Sequence, residues 1–279
     1  LHSLLLGFIT PFPDSQEDSP LRRSRRRVLV GCCTGLALFA IWTITTTITS
    51  LVSPGRFPSP PDVWAAARQI VVVGYADDKL WQHALHSLRL VLMGFAVAVA
   101  VGLPLGILMG AYRRLDAFVT PVFSILRPIP PLAWIPLAIL WLGLGDAAKI
   151  MVIFFAAFVP SVINSHAGVR TIEPHLIEAS RTLGVRGFAH IREVLVPGAM
   201  PMIFTGLRLS LQASWTTLVA AELVGALAGL GRVLNVAQQD IYPAMILVAM
   251  ASVALLGWGT TRLLDVVESR AMPWIAART

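Results

Sequence analysis

Six stretches of this 279-residue chain stay apolar for about the length of a bilayer crossing: 28–52, 88–111, 117–142, 148–167, 200–226 and 241–264. A hydrocarbon layer roughly 30 Å thick takes about 20 apolar residues per helix. A bilayer cannot solvate open backbone, so each run must be largely helical, with breaks only where protein or a wet cavity covers them. The fold class that follows is an all-α membrane protein with six transmembrane helices, and no internal repeat is visible. Composition agrees: 56% of residues are hydrophobic and 13% charged, against about 25% charged in soluble domains.

Lysine and arginine set the orientation. Residues 13–27, "PDSQEDSPLRRSRRR", are polar and Pro-containing, and end in five arginines directly before the first span. This places the N-terminal tail in the cytoplasm. The opening "LHSLLLGFITPF" is short, follows no basic region, and does not read as a cleaved signal peptide. Alternating through the spans puts "YRRLD" at 112–116, Arg170, Arg181, Arg186, Arg192, Arg270 and Arg278 on the same side, and leaves single charges such as Arg56, Arg68, Lys79, Lys149 and Arg232 outside. The expected layout is a cytoplasmic tail 1–27, a first span 28–52, an extracytoplasmic loop 53–87 with an amphipathic segment starting at Asp62, a five-helix core 88–267 and a cytoplasmic tail 268–279. Cys32 and Cys33 are neighbours in an apolar run and diverge on a helix, so they read as packing residues.

The longest polar stretch of the second half, "EASRTLGVRGFAHIREVLVPGAMP" at 178–201, falls on the cytoplasmic side within the segment 171–197. Glu173 and Pro174 read as a helix start, Leu176, Ala179 and Leu183 recur at helical spacing, and Gly184 supplies a C-terminal break. Phe188, Ile191 and Leu195 give a second stripe up to Pro197. A short helix, a bend and a second short helix are expected, able to lie on the membrane surface, dock into a partner's groove or simply connect two spans.

Glu178-Ala179, then Gly184, then Val194-x-Val196-Pro197 resembles the "EAA…G…I-x-L-P" motif of bacterial ABC importer permeases. Ser180 stands for the second alanine, and Val194 and Val196 for the isoleucine and leucine. "LRPIPPLAWIPLAILWLGLGDAAKI", "GLRLSLQASWTTLVAAEL" and the "GLG" at 229–231 look like the taurine, aliphatic sulfonate, nitrate and bicarbonate branch, and the resemblance covers roughly residues 80–274. It implies a type I ABC importer (MetI-like) permease fold in the bacterial inner membrane. The implied partners are a second copy of the permease, two ATP-binding subunits, an extracytoplasmic substrate-binding protein and membrane lipid, without nucleic acid. It makes Glu178, Ala179, Ser180, Leu183, Gly184 and Pro197 the segment that couples to the ATPase. The chain has no GxxxxGK[ST] loop, so ATP and Mg belong on the partner and no cofactor is expected on this chain.

Within the spans, Gly102, Gly106 and Gly110 form a small-residue ridge for close helix packing. Pro128, Pro130, Pro131 and Pro136 break the third span and free backbone groups that need cover. Intramembrane charge is usually functional, which singles out Arg127 near the midplane, Arg208 in the inner part of the fifth span and Glu222 toward its outer end. Ser210, Ser214 and Thr217 share one face of the fifth span, with Gln212 and Thr216 on an adjoining strip. Arg127, Pro130, Arg208, Ser210, Ser214, Thr217 and Glu222 are the expected pathway residues, with buried ion pairs and helix-to-helix hydrogen bonds as the competing explanation.

An arginine fork with hydroxyl and amide donors suits a small oxyanion. That chemistry does not separate taurine from nitrate; the resemblance makes taurine or another alkanesulfonate the expected substrate, and nitrate, bicarbonate or another small organic anion the alternative. A membrane hydrolase lacks its motifs: there is no HExxH or GxSxG, and His83, His86, His175 and His190 fall on opposite sides of the membrane. A secondary transporter would carry inverted repeats, and a purely regulatory subunit would not need Arg127.

Overall fold

The computed structural model describes residues 20–48 and 57–276. The remainder of the N-terminal tail, positions 49–56 and positions 277–279 lie outside the described residues. The chain divides into two compact units, residues 1–60 and 61–279.

In the first unit, α1 runs Pro20–Thr43 and continues as a π-turn, Ile44–Ile48. It begins eight residues before the expected span, so the backbone through the arginine cluster is helical. Proline presets the first helical φ and arginine is a good helix former, which accounts for the early start. Thr34, Thr43 and Thr46 bond back to carbonyls four residues earlier, and Trp42 Nε1 donates to Pro58 O at 3.0 Å. Cys32 and Cys33 are free and exposed, which corrects their reading as packing residues.

The second unit is built from α2 (Pro60–Val72), α3 (Leu80–Ala111), α4 (Arg113–Leu126), a 3₁₀ turn (Pro131–Trp134) leading into α5 (Ile135–Leu142), α6 (Asp146–Arg170), α7 (Pro174–Thr182), α8 (Gly187–His190), a π-turn (Ile191–Leu195), α9 (Val196–Gly225), α10 (Leu230–Gln239), α11 (Pro243–Ala271) and α12 (Pro273–Ala276). Among the described residues the β pairing is limited to one isolated bridge, Tyr75–Asp78. Among the described residues five helices are long and apolar enough to cross a membrane, and the pair formed by α4 and the turn into α5, bent by 82°, brings the number to six when counted as one broken span. The prolines do break the third span, at Arg127–Pro130.

Three helices, α3, α6 and α9, form the packed centre. Along α3, Gly94 meets Ile153, Gly102 meets Ser161 and Phe158, Gly106 meets Val162 and Ser165, and Gly110 meets Val169. The expected small-residue ridge is therefore real and extends two steps further, through buried Ala98 to Gly94, seating α6 directly on the α3 backbone. Leu90, Val91, Ile153, Leu211, Trp215 and Leu218 fill the seam at one level, and Ile107, Val169, Leu195, Ala199 and Ile203 at another. α2 buries Ala66 and Ile70 against Val233 and Ala237 of α10 and Met245 and Val248 of α11. α4 buries none of its residues. α3 also starts eight residues before its expected span, because its polar first turns find partners described below.

A methyl group added at Gly106 would sit 2.5 Å from Val162 O and 2.8 Å from Ser165 Cβ, while Gly259 on α11 has open space. Gly106→Ala is expected to destabilise by about 1–3 kcal/mol through overpacking. Gly259→Ala should be neutral or stabilise by up to about 1 kcal/mol through helix propensity. Thermal unfolding of both variants in detergent checks the pair.

Candidate functional site

The segment between α6 and α9 is shaped by its punctuation. Pro174 opens α7 behind Glu173. Gly184 closes it with φ +81°, its N–H bonded to Arg181 O and the Val185 N–H to Ser180 O, both at 3.0 Å. This 5→2 and 6→1 pairing needs a left-handed residue, which glycine adopts without strain. Leu176, Leu183 and Phe188 project outward, exposed by 56%, 81% and 76%. Glu178 and Ala179 are exposed as well. Ile177, Ile191 and Leu195 turn inward onto Ile107, Val169 and Ala199.

The second limb differs from expectation. It does not stop at Pro197 but runs without a break from Gly187 to Gly225, a helical path of 39 residues. Proline lacks an N–H and crowds the carbonyl four residues back. The π-turn just before it, in which Val196 N–H reaches Ile191 O, widens the helix there and takes up the mismatch. Pro197 therefore sits near the start of α9.

Ser180 is buried at 6% exposure. Its hydroxyl bonds Ile177 O at 2.8 Å and lies 3.1 Å from His190 Nδ1, tying the two limbs together. The motif comparison treats this serine as a mild replacement for alanine, and nothing in the spacing pointed to its link with His190. Asp116 at the start of α4 is a second feature the sequence did not reveal: it accepts from Thr120 at 2.7 Å and Arg170 at 3.0 Å and lies 3.3 Å from His166. It fastens the exposed α4 to the end of α6 beside the segment. A cavity of about 490 Å³ opens under α7, lined by Tyr112, Arg170, Glu178, Arg181 and His190 among others.

The expected pathway residues do not come together. Ser210, Ser214 and Thr217 are buried on the face of α9 that packs inward, with Ser210 donating to Ala157 O of α6 at 2.7 Å and Ser214 to Ser210 O at 2.8 Å. Small hydroxyls can satisfy themselves on nearby carbonyls and so tolerate burial. These three are helix-packing residues in this structure rather than a face open to solute. The exposed strip is the other side, where Arg208, Gln212 and Thr216 line a groove of about 590 Å³ with Trp215, Trp258 and Thr261.

Arg208 is not a free cation in that groove. It pairs with Asp265 at 3.1 Å and with Glu268, both on α11. Asp265 lies 4.0 Å from Arg262 as well. Two arginines and two acids cancel, so this cluster joins α9 to α11 and offers no net charge to an anion.

Glu222 is likewise not open to a pathway. It is 1% exposed, and its carboxyl accepts from Ser87 Oγ at 2.9 and 3.1 Å and from Gly231 N–H at 2.7 Å. Ser87 Oγ in turn accepts from Leu230 N–H at 2.9 Å, and His83 Nδ1 from Gly229 N–H at 3.2 Å. The other His83 nitrogen faces Tyr75 O at 3.0 Å, so the ring proton belongs on Nε2. Three consecutive N–H groups at the start of α10 are thus satisfied by three side chains of α3 and α9. A side chain at Gly229 or Gly231 would collide with Glu222, and Gly229 holds φ +113°. Beside this cluster Lys149, 7% exposed, pairs with Asp146 at 3.2 Å.

Arg127 and Pro130 stand at the break of the third span, both exposed. Among the described residues Arg127 has no carboxylate or hydrogen-bond partner for its side chain. It lines a cavity of about 260 Å³ with aromatic neighbours. No cluster of metal-ligating side chains occurs among the described residues.

Residues 102–272 match the family model described as binding-protein-dependent transport system inner membrane component. The chain is 34% identical over 250 residues to the taurine transport system permease protein TauC of Escherichia coli strain K12, covering 89% of this chain and 90% of that one. It is 30% identical to the putative aliphatic sulfonates transport permease protein SsuC of Bacillus subtilis, covering 90% of each. It is 35% identical over 211 residues to the bicarbonate transport system permease protein CmpB of Synechococcus elongatus, covering 72% of this chain and 76% of that one. Among solved structures, the inward-facing MetNI methionine ABC transporter aligns with TM-score 0.57 at 23% identity, over 67% of this chain and 95% of that one, a likeness of fold. With a family match over most of the chain, a relative covering nine-tenths of it and a helical core of the same fold, the chain belongs to the family of binding-protein-dependent transport system inner membrane components and is a permease subunit of an ABC importer.

Proposed function

We propose that this permease imports a small oxyanion, taurine or another alkanesulfonate, by alternating access driven by a separate ATPase. The observation that carries the anion reading is Arg127, an exposed guanidinium at the break of a membrane span, without a counter-ion among the described residues. A lone cation at that depth is costly unless an anion or water visits it. The sulfonate reading is supported by relatives named for taurine and aliphatic sulfonates that align over about nine-tenths of both chains. A bicarbonate reading has the support of relatives that align over a shorter stretch.

The coupling segment gives the ATPase its grip. Leu176, Leu183 and Phe188 are apolar knobs on an otherwise polar element, with Glu178 exposed beside them. Such a face suits the groove of a soluble partner. The unbroken path Gly187–Gly225 has a contour of about 58 Å at 1.5 Å per residue. It carries a displacement at the coupling end to the Glu222 cluster at the other. The full assembly in this reading has two permease copies, two ATP-binding subunits and an extracytoplasmic binding protein in the bacterial inner membrane, with both termini cytoplasmic. ATP and Mg reside on the partner.

The test is ATPase activity of the reconstituted permease with its ATPase and binding protein, scanned over taurine, alkanesulfonates, nitrate and bicarbonate. Stimulation by taurine or an alkanesulfonate is expected; stimulation by bicarbonate or nitrate alone would replace the substrate reading. In Glu178→Ala the stimulation should fall at least tenfold while the subunits still copurify. A normal response in that variant would remove the coupling role from α7. Gly184→Ala forces a left-handed φ on a residue with a Cβ, at about 1–2 kcal/mol, and should lower the stimulated rate without abolishing assembly.

A further inference from the structure

The cavity at the broken third span is walled by aromatic rings that hold one another in place. Trp134 stacks on Phe155 with centroids 4.3 Å apart and planes 14° from parallel. Phe158 stacks on Phe154 at 5.3 Å and meets Phe123 edge-on at 6.1 Å. Of the residues lining this space, Arg127 alone is charged and the others are apolar. The cavity therefore has a preformed ring wall and a single unneutralised guanidinium, whereas the larger groove beside α9 has its arginine cancelled by two acids.

These features specify a ligand. The guanidinium complements an oxyanion through its planar fork, and the ring wall complements an apolar body. The volume, about 260 Å³, lies just below the usual range for drug-sized ligands and suits a short chain. A bare oxyanion such as nitrate or bicarbonate gains the fork and leaves the rings unused. The ammonium of an aminosulfonate meets the same ring faces by cation–π attraction.

We propose that this cavity binds an organic sulfonate, with its head on Arg127 and its chain against Trp134, Phe155 and Phe158, so that the permease itself discriminates alkanesulfonates from bare oxyanions. The proposal rests on reading Arg127 as facing the translocation pathway.

The permease assembled with its ATPase, in phosphatidylcholine nanodiscs and without binding protein, is titrated calorimetrically with taurine and with methane-, ethane-, butane- and hexanesulfonate, nitrate and bicarbonate. Affinity should rise by up to about fourfold per added methylene until the cavity is full. Nitrate and bicarbonate should bind at least tenfold more weakly than butanesulfonate. Arg127→Gln should weaken every sulfonate at least tenfold, with Arg127→Lys intermediate. Phe155→Leu should flatten the chain-length slope and spare methanesulfonate; if it fails to assemble, the ligand series on the unaltered protein decides. A flat series, or unchanged affinity in Arg127→Gln, overturns the proposal. Loss of binding on adding phosphatidylglycerol also overturns it, since the occupant is then an anionic lipid. Sulfonate uptake without direct binding removes this site and leaves the sulfonate-import reading standing, while direct binding without sulfonate uptake keeps the site and removes the sulfonate-import reading.

Discussion

A carboxyl group buried to 1% exposure inside a helical membrane bundle persists only if its surroundings answer it with hydrogen bonds. Around Glu222 that requirement shapes the chain over more than a hundred positions. It needs Ser87 from α3, the Gly231 N–H from α10, and two glycines whose missing side chains let the loop come within reach. Ser87 and His83 then take the Leu230 and Gly229 N–H groups, so three consecutive donors at the start of α10 are paired. The result is a junction in which α3, α9 and α10 cannot move independently at that end of the bundle. Asn235, which donates to Leu223 O at 2.8 Å, adds a second tie between α10 and α9.

The junction matters because of what lies at the other end of α9. A helical path fastened at Glu222 and continuous back to Gly187 joins that junction to α7 through the Ser180–His190 contact. The packed slab of α3, α6 and α9, with glycine against side chain along its length, resists internal shear. The parts the slab does not bury are α4, the proline break and the α9–α11 groove, which the Arg208, Asp265 and Glu268 cluster bridges. The protein thus separates a stiff, closely packed body from a lightly held surface.

The sequence made the number of spans, the ridge at Gly102, Gly106 and Gly110, the break at Arg127–Pro130 and the turn at Gly184 legible, because each follows from a local rule about length, side-chain size or backbone conformation. It was less informative where the outcome depended on partners. Ser210, Ser214 and Thr217 share a face in any helix, and periodicity alone cannot say whether hydroxyls on one face meet water or a neighbouring carbonyl. The structure turns them onto α6 and turns Arg208, Gln212 and Thr216 outward. The larger polar groups are the more costly to bury, so relative size was the signal that would have chosen the right face. The early start of α3 was hidden for a related reason. His83 and Ser87 look too polar for a span until the loop at 229–231 supplies their partners. Nor does Pro197 end a helix here, because the π-turn before it removes the conflict that usually makes proline a stop.

The same dependence on partners decides which arginine carries the electrostatics. Arg127 and Arg208 are alike in sequence: each is a single basic residue within an apolar run. Their environments separate them. Arg208 lies where the end of α11 brings Asp265 and Glu268 within reach, and its charge is spent on holding two helices together. Arg127 lies where prolines end one helix before the next begins, so neither α4 nor α5 brings an acid to it. Had the third span been continuous, the same arginine would have faced lipid or packed against a neighbour, and selection would have favoured its loss or its pairing. The proline break is therefore what makes an unneutralised charge tenable at that depth, by opening a cavity that an oxyanion or water can enter.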